Sequence, residues 1–207
     1  DWGAIQMALA NVLARLGTRF VEVPALKQAI LAYQAALRAY PKESAPHRWG
    51  EINHRLGKLL QVTASVLESA DLLRKSVDCS RRALEVRSRQ THPSAWAASQ
   101  SALGTALVQL ARLTDELEPL EEAHEAFAGA LQVYEQTRAH TMTEVTRKNL
   151  QHVTRLLRDQ RPRLPEPAGK GEETAVSGAG TEWWLIEDED EPPSPEEHLF
   201  EAPPAGE

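Results

Sequence analysis

Apolar residues recur at intervals of three and four along most of the chain, which is the spacing of one face of an α-helix. One such face runs from Trp96 to Leu110 and another from Leu120 to Tyr134. A polar segment that ends in Pro119 separates them. The same spacing over the first 159 residues predicts seven helices, at 3–16, 23–40, 47–66, 69–89, 94–112, 118–138 and 142–159.

A period of 47 residues relates these helices to one another. Trp2, Trp49 and Trp96 stand 47 residues apart. Leucines keep the same phase in three further sets: Leu9, Leu56, Leu103 and Leu150; Leu26, Leu73 and Leu120; Leu37, Leu84 and Leu131. A shared period without an insertion indicates an internal repeat, here of three helix pairs, which we call units one to three. The seventh helix begins in phase, and its exposed charges suit a helix that caps the stack.

The repeat resembles the tetratricopeptide repeat (TPR). Unit three carries the resemblance in Leu103-Gly104 and in Ala123, Phe127 and Ala130, and unit two in Leu56-Gly57 with Ser76, Ser80 and Ala83. The phrase Pro93-Ser94-Ala95-Trp96 is similar to long-period bacterial forms. The usual unit has 34 residues, so the helices and turns must be longer here. The resemblance implies an all-α solenoid of helical hairpins over 1–159, with three repeats and a C-terminal capping helix.

The resemblance also implies that the first helices of the units line a peptide-binding groove. Counting from the Leu-Gly position places nine polar residues there: Asn11, His54, Lys58, Gln61, Ser101, Thr105, Lys148, His152 and Arg155. This lining is net positive, which predicts a preference for acidic peptides. The alternative is that Lys58, Lys148 and Arg155 are ordinary solvated charges. Met7 stands where chaperone-binding relatives carry a base, so capture of a chaperone C-terminus is not predicted.

Charge divides the chain into two parts. Residues 1–160 contain 20 Lys and Arg against 17 Asp and Glu, a net charge of +3. Residues 161–207 contain 3 against 13, a net charge of −10, and hold eight of the 13 prolines. A segment so acidic and so poor in apolar residues cannot bury enough surface to offset its chain entropy. We therefore expect 160–207 to be a flexible acidic tail.

Two apolar clusters interrupt this tail. The first is Trp183, Trp184, Leu185 and Ile186, followed by an acidic run, and the second is Leu199 with Phe200. Exposed aromatic residues in such a segment are typical of a linear binding motif. Three destinations stay open: the chain's own repeats or those of a second copy, a separate protein, and simple packing on the capping helix. The first cluster also resembles the short motif by which autophagy receptors bind ubiquitin-like proteins, a pattern of low specificity.

The chain offers little of the chemistry that catalysis needs. Its single cysteine, Cys79, excludes an internal disulfide, and none of the seven histidines has metal-ligand spacing. It has neither a phosphate-binding glycine loop nor a nucleophile elbow. We therefore expect no enzyme activity, no metal and no cofactor, and no apolar run is long enough to span a membrane.

These observations predict a non-catalytic cytoplasmic module for protein–protein interaction, such as an adaptor, scaffold or assembly factor. The alternative is a regulatory or targeting subunit that docks on an enzyme through the tail. Nucleic-acid binding is less favoured, because the basic residues of the fourth helix have no interleaved stacking aromatics. Those residues are Arg74, Lys75, Arg81, Arg82, Arg87 and Arg89.

Overall fold

The computed structural model describes residues 2–160, with side chains described for residues 2–159. In this range the secondary structure consists of seven α-helices and no strand. The helices are α1 (Trp2–Phe20), α2 (Val23–Ala39), α3 (Pro46–Leu67), α4 (Ala70–Val86), α5 (Pro93–Thr114), α6 (Glu118–Gln136) and α7 (His140–Gln160). The all-α prediction is therefore confirmed for the described residues, while Trp183–Ile186, Leu199 and Phe200 lie outside them.

The helices stack in sequential pairs. The most extensive contacts are those of α1 with α2, of α3 with α4, and of α5 with α6. Neighbouring pairs are joined by the packing of α4 on α5 and, less extensively, of α2 on α3, while α7 covers α6. Each pair buries its apolar face against the next, and the buried residues form three clusters along the stack.

The backbone repeats with the period of the sequence. Each of the first three odd-numbered helices is followed by a residue of positive φ, namely Val21 (65°), Glu68 (46°) and Asp115 (57°). These residues are 47 positions apart, and so are Pro46 and Pro93, which begin α3 and α5. Proline suits the first turn because that turn's N–H groups have no partner within the helix. The period is thus a property of the turns as well as of the core.

Several helix ends differ from the predicted ones, and α1 differs most. The prediction ended it at residue 16, before Gly17, whereas it continues to Phe20. Gly17 is buried in α1, and a Cβ there would lie 2.7 Å from the Leu26 side chain. The glycine therefore permits a close helix crossing and does not end the helix. In α4 the prediction reached 89, but the helix ends at Val86 because Arg87 is extended, with φ −109° and ψ 112°.

The tryptophans of units two and three each lie beside a cation of the loop that precedes their helix. Trp49 and Trp96 are half-buried. The Lys42 ammonium lies 5.5 Å from the Trp49 ring centre, and the Arg89 guanidinium lies 5.8 Å from that of Trp96. Because these two cations are also 47 residues apart, each unit repeats the same cation–π pair.

Candidate functional site: a basic cleft between α3 and α5

An open cleft of about 530 Å³ lies between the first helices of units two and three. From α3 it is lined by Glu51, His54, Arg55 and Lys58, while α5 contributes only Ala95 and Ala98. The space exists because long polar side chains on α3 face alanines on α5. The remaining lining residues are His47, Arg87 and His92. Three permanent cations and three imidazoles therefore face a single carboxylate.

Arg87 reaches the cleft from the end of α4. Its Nη1 donates to Ser99 Oγ at 2.8 Å and to the Ala95 carbonyl at 3.3 Å. Ser99 Oγ lies in turn 3.5 Å from His54 Nδ1. Burial lowers the pKa of the guanidinium, and the Glu51 carboxylate opposes that shift. A partly desolvated cation interacts more strongly with an anion than a fully solvated one, because water screens it less.

A second polar chain fixes the opposite side of the cleft. Arg55 Nη2 donates to Glu51 Oε1 at 3.1 Å, and its Nη1 lies 3.4 Å from Asn11 Oδ1. The Tyr33 hydroxyl donates to the same Asn11 oxygen at 2.7 Å. The Arg55 guanidinium is thereby tied to α1, α2 and α3. The only carboxylate of the lining is engaged by Arg55, and it also accepts from Arg48 at 3.4 Å.

Two histidines stand where α3 and α5 begin. His47 follows Pro46 in the first turn of α3, and His92 is the N-cap residue of α5. Their ring centres are 4.7 Å apart in an edge-to-face arrangement. The ends of two helices thus meet at the cleft, and the N-terminus of a helix carries a partial positive charge. This charge adds to that of the arginines and the lysine.

The structure brings together only part of the predicted groove. His54 and Lys58 line the cleft, and Asn11 lies beside it through Arg55. Gln61 is half-buried one turn further along α3, and its Nε2 has no hydrogen-bond partner among the described residues.

Ser101 and Thr105 have to be corrected, because both are buried inside the stack. They are 2% and 4% exposed, and the Thr105 hydroxyl donates to the Ser101 carbonyl. The physical reason is that α4 packs more extensively on α5 than α2 packs on α3, while α6 and α7 also contact α5. These two side chains offer no accessible surface to a peptide.

The three predicted residues of α7 do not line the cleft. Lys148 and Arg155 are exposed, and His152 is half-buried. Arg155 Nη2 donates to His152 Nδ1 at 3.0 Å, because arginine has no acceptor. Burial lowers the pKa of His152, and the Arg155 charge lowers it further. Both effects favour the neutral imidazole, whose Nδ1 can accept this hydrogen bond.

Seven of the nine lining residues were not predicted for the groove from the sequence: Ala95, Ala98 and the five polar residues His47, Glu51, Arg55, Arg87 and His92. A signal for Arg87 was present, since the position 47 residues before it is Tyr40 and the position 47 residues after it is Tyr134. A cation replaces an aromatic residue at one position of the repeat. Because the repeat has tyrosine at the other two equivalent positions, packing alone does not explain the arginine.

The basic residues of the fourth helix do not form one continuous stripe. Arg74 pairs with Asp71 at 3.1 Å, and Arg81 pairs with Glu122 of the next unit at 2.7 Å. Arg87 turns into the cleft, and Arg89 lies over Trp96. Only Arg87 of these four contributes to the candidate site.

Comparisons with family models, with curated proteins and with solved structures found no match to this chain. Over residues 2–159, no group of three His, Cys, Asp or Glu side chains is arranged to hold a metal ion. Within the same part of the chain, no helix is both long and apolar enough to cross a membrane.

Proposed function

We propose that this chain is a TPR-like module for protein–protein interaction that binds an acidic peptide in the cleft between α3 and α5. The observation that carries the proposal is the lining of that cleft, in which Arg55, Lys58 and Arg87 face one engaged carboxylate. The stacked helix pairs and the 47-residue phase support the TPR-like part of the proposal.

The geometry favours an extended peptide over a small anion. The cleft is open, and its cations are spread between α3, with Arg55 and Lys58, and the end of α4, with Arg87. An extended acidic peptide presents carboxylates at several points along such a surface. Arginine provides paired donors for a carboxylate, while the lysine acts as a point charge.

The proposal is tested by fluorescence anisotropy with the full chain. The probe is a fluorescein-labelled oligoglutamate of about eight residues, and the matched neutral probe is oligoglutamine. We expect saturable binding of the first probe only, weakening as salt is added because the contacts are electrostatic. Equal binding of both peptides would contradict the proposal.

A matched pair of variants assigns the binding to the cleft. Lys58→Ala removes a cleft cation, and Lys75→Ala removes an exposed lysine of α4 outside the cleft. We expect Lys58→Ala to weaken oligoglutamate binding about three- to tenfold, which corresponds to ~0.7–1.4 kcal/mol. Lys75→Ala leaves binding unchanged. A similar loss in both variants would show attraction to the whole domain and remove the cleft as the site.

A further inference from the structure

An uncovered apolar stripe runs along α1. It consists of six residues at helical spacing, and we call it the α1 stripe: Trp2, Ile5, Leu9, Val12, Leu16 and Phe20. Each of these side chains is between 43% and 62% exposed. The opposite face of α1, with Gly3, Met7 and Ala10, is buried. One helix thus carries two apolar faces, of which one is in contact with the rest of the fold.

The equivalents of this stripe in units two and three are buried. The positions 47 residues after Ile5, Leu9, Val12 and Leu16 are Ile52, Leu56, Leu59 and Thr63, and the next set is Ser99, Leu103, Ala106 and Leu110. None of these eight residues is more than 7% exposed. Identical positions are therefore buried in units two and three and exposed in unit one.

The covering element in units two and three is the second helix of the preceding unit. Helix α4 packs on α5, and Arg87 at its end contacts Ser99, the equivalent of Ile5. Val77 of α4 belongs to the same core cluster as Leu103 and Ala106, and Leu84 packs against that cluster. Their equivalents in α2, Ile30 and Leu37, join the cluster that holds Ile52, Leu56 and Leu59.

We propose that the α1 stripe is the docking surface for the second helix of a further repeat unit, joined ahead of α1 in the 47-residue register. That helix presents an aliphatic pair seven residues apart, as α2 and α4 do. The described part of a second copy offers no such helix, because α2 and α4 are covered by the next pair and α6 by α7. The buried equivalents in units two and three identify the proposed occupant as a unit of this repeat type.

The test extends the full chain by one unit. A copy of residues 46–95 placed directly before Trp2 sets the copied Trp49 47 residues ahead of it. The matched control has the same length and carries Val77→Asp and Leu84→Asp in the copy alone. Hydrogen–deuterium exchange of the α1 amides is compared between the two chains. We expect exchange in α1 at least about tenfold slower with the unaltered copy, because a docked helix suppresses local opening.

Exchange in α5 and α6 serves as the internal reference that the original units remain folded. Equal α1 exchange in the two extended chains, with that reference intact, would overturn the proposal.

A second measurement does not depend on the folding of the copy. Ile5→Asp with Val12→Asp should leave the unextended chain monomeric and about as stable, since both side chains are exposed. A dimer of the unextended chain that this double substitution dissociates would assign the stripe to a second copy and overturn the proposal.

Discussion

Arg87 has two roles at the cleft, since its side chain bonds to α5 and also supplies positive charge. Its stem is half-buried, and its guanidinium satisfies Ser99 Oγ and the Ala95 carbonyl. The equivalent residue in units one and three is a tyrosine. A tyrosine at this position keeps the bulk of the side chain and removes the charge.

We expect Arg87→Tyr to weaken oligoglutamate binding as much as Lys58→Ala does, with unfolding free energy within about 1 kcal/mol of the parent. Arg87→Ala should weaken binding equally and also lose about 1–3 kcal/mol of stability, because it removes packing and leaves Ser99 and Ala95 without their donor. Urea unfolding and anisotropy on the same samples separate the two effects. Parental binding by Arg87→Tyr would show that the guanidinium does not contact the peptide.

Cys79 supplies a prediction that is independent of the binding site. Burial raises the pKa of its thiol from 9.0 to about 11. The folded state therefore keeps the proton at pH values where the unfolded chain has released it. Stability contributed by this thiol is complete below pH 9 and declines as the pH rises from 9 towards 11.

The measurement is the difference in unfolding free energy between the parent and Cys79→Ala, taken by urea unfolding from pH 8 to 11. The difference cancels the titration of tyrosines and lysines that both chains share. We expect the advantage of the parent over Cys79→Ala to shrink across that range. A difference that stays constant from pH 8 to 11 would mean that the thiol is not desolvated in the folded state.

Which residues line the cleft could be predicted from the sequence only in part, by counting along the repeat. His54 and Lys58, which were found by counting from Leu56-Gly57, line the cleft between α3 and α5. The same count failed at Ser101 and Thr105, because it treats every first helix as if it had the same neighbours. Helix α4 packs more extensively on α5 than α2 does on α3, so equivalent positions of the two first helices are buried to different degrees, which sequence spacing does not indicate.

At the scale of helices, close crossing within the pairs of units two and three involves one position of the first helix, Gly57 and Gly104. A Cβ added at Gly104 would lie 2.9 Å from ring atoms of Phe127, which is 1% exposed and has no room to move. At the equivalent Gly57 the nearest atoms belong to Ser76, Cys79 and Ser80, all at 3.3 Å. The two glycines therefore tolerate a methyl group to different degrees.

We expect Gly104→Ala to lower the unfolding free energy by about 1–2 kcal/mol, since overpacking outweighs the gain in helix propensity. Gly57→Ala should cost less, because a shift of a few tenths of an ångström accommodates it. In a chain that already carries Phe127→Leu, Gly104→Ala should lower the unfolding free energy by less than it does in the parent. A double-mutant cycle measures this coupling. Equal losses for the two glycine variants, measured by urea unfolding, would place the tight crossing elsewhere.

Helix existence and order were predictable because the apolar spacing is strong, while two ends were not. Gly17 and the α4 terminus were misjudged for the same reason. In both places a contact with another helix, Gly17 with Leu26 and Arg87 with Ser99, decides where the backbone goes. Local sequence describes propensity, and these contacts are between residues far apart in the chain or across a turn.

The charge of the whole chain is divided between the helical part, which contains the basic cleft, and an acidic remainder. The helical part carries +3 and the remaining 47 residues carry −10, with the acidic run 187–191 next to Trp183–Ile186. Across the unit boundaries cations pair with carboxylates, as Lys42 does with Glu85 and Arg81 with Glu122. The cleft is the place where the cations outnumber them.

This division predicts that the chain's own acidic segment competes for the cleft. The probe is a labelled peptide of residues 178–202, and the titrant is the full chain with residues 187–191 changed to the corresponding amides and with Trp183→Ala and Trp184→Ala, so that its own segment does not compete. We expect saturable binding that Lys58→Ala weakens and that Trp183→Ala with Trp184→Ala in the peptide abolishes, since aromatic anchors supply most of the energy of a small interface. The parent chain, with its acidic run intact, should bind the same peptide more weakly, because an attached ligand acts at a high effective concentration. Equal binding by the two chains would show that the segment does not occupy the cleft, and would direct the Trp183–Ile186 motif to a different protein.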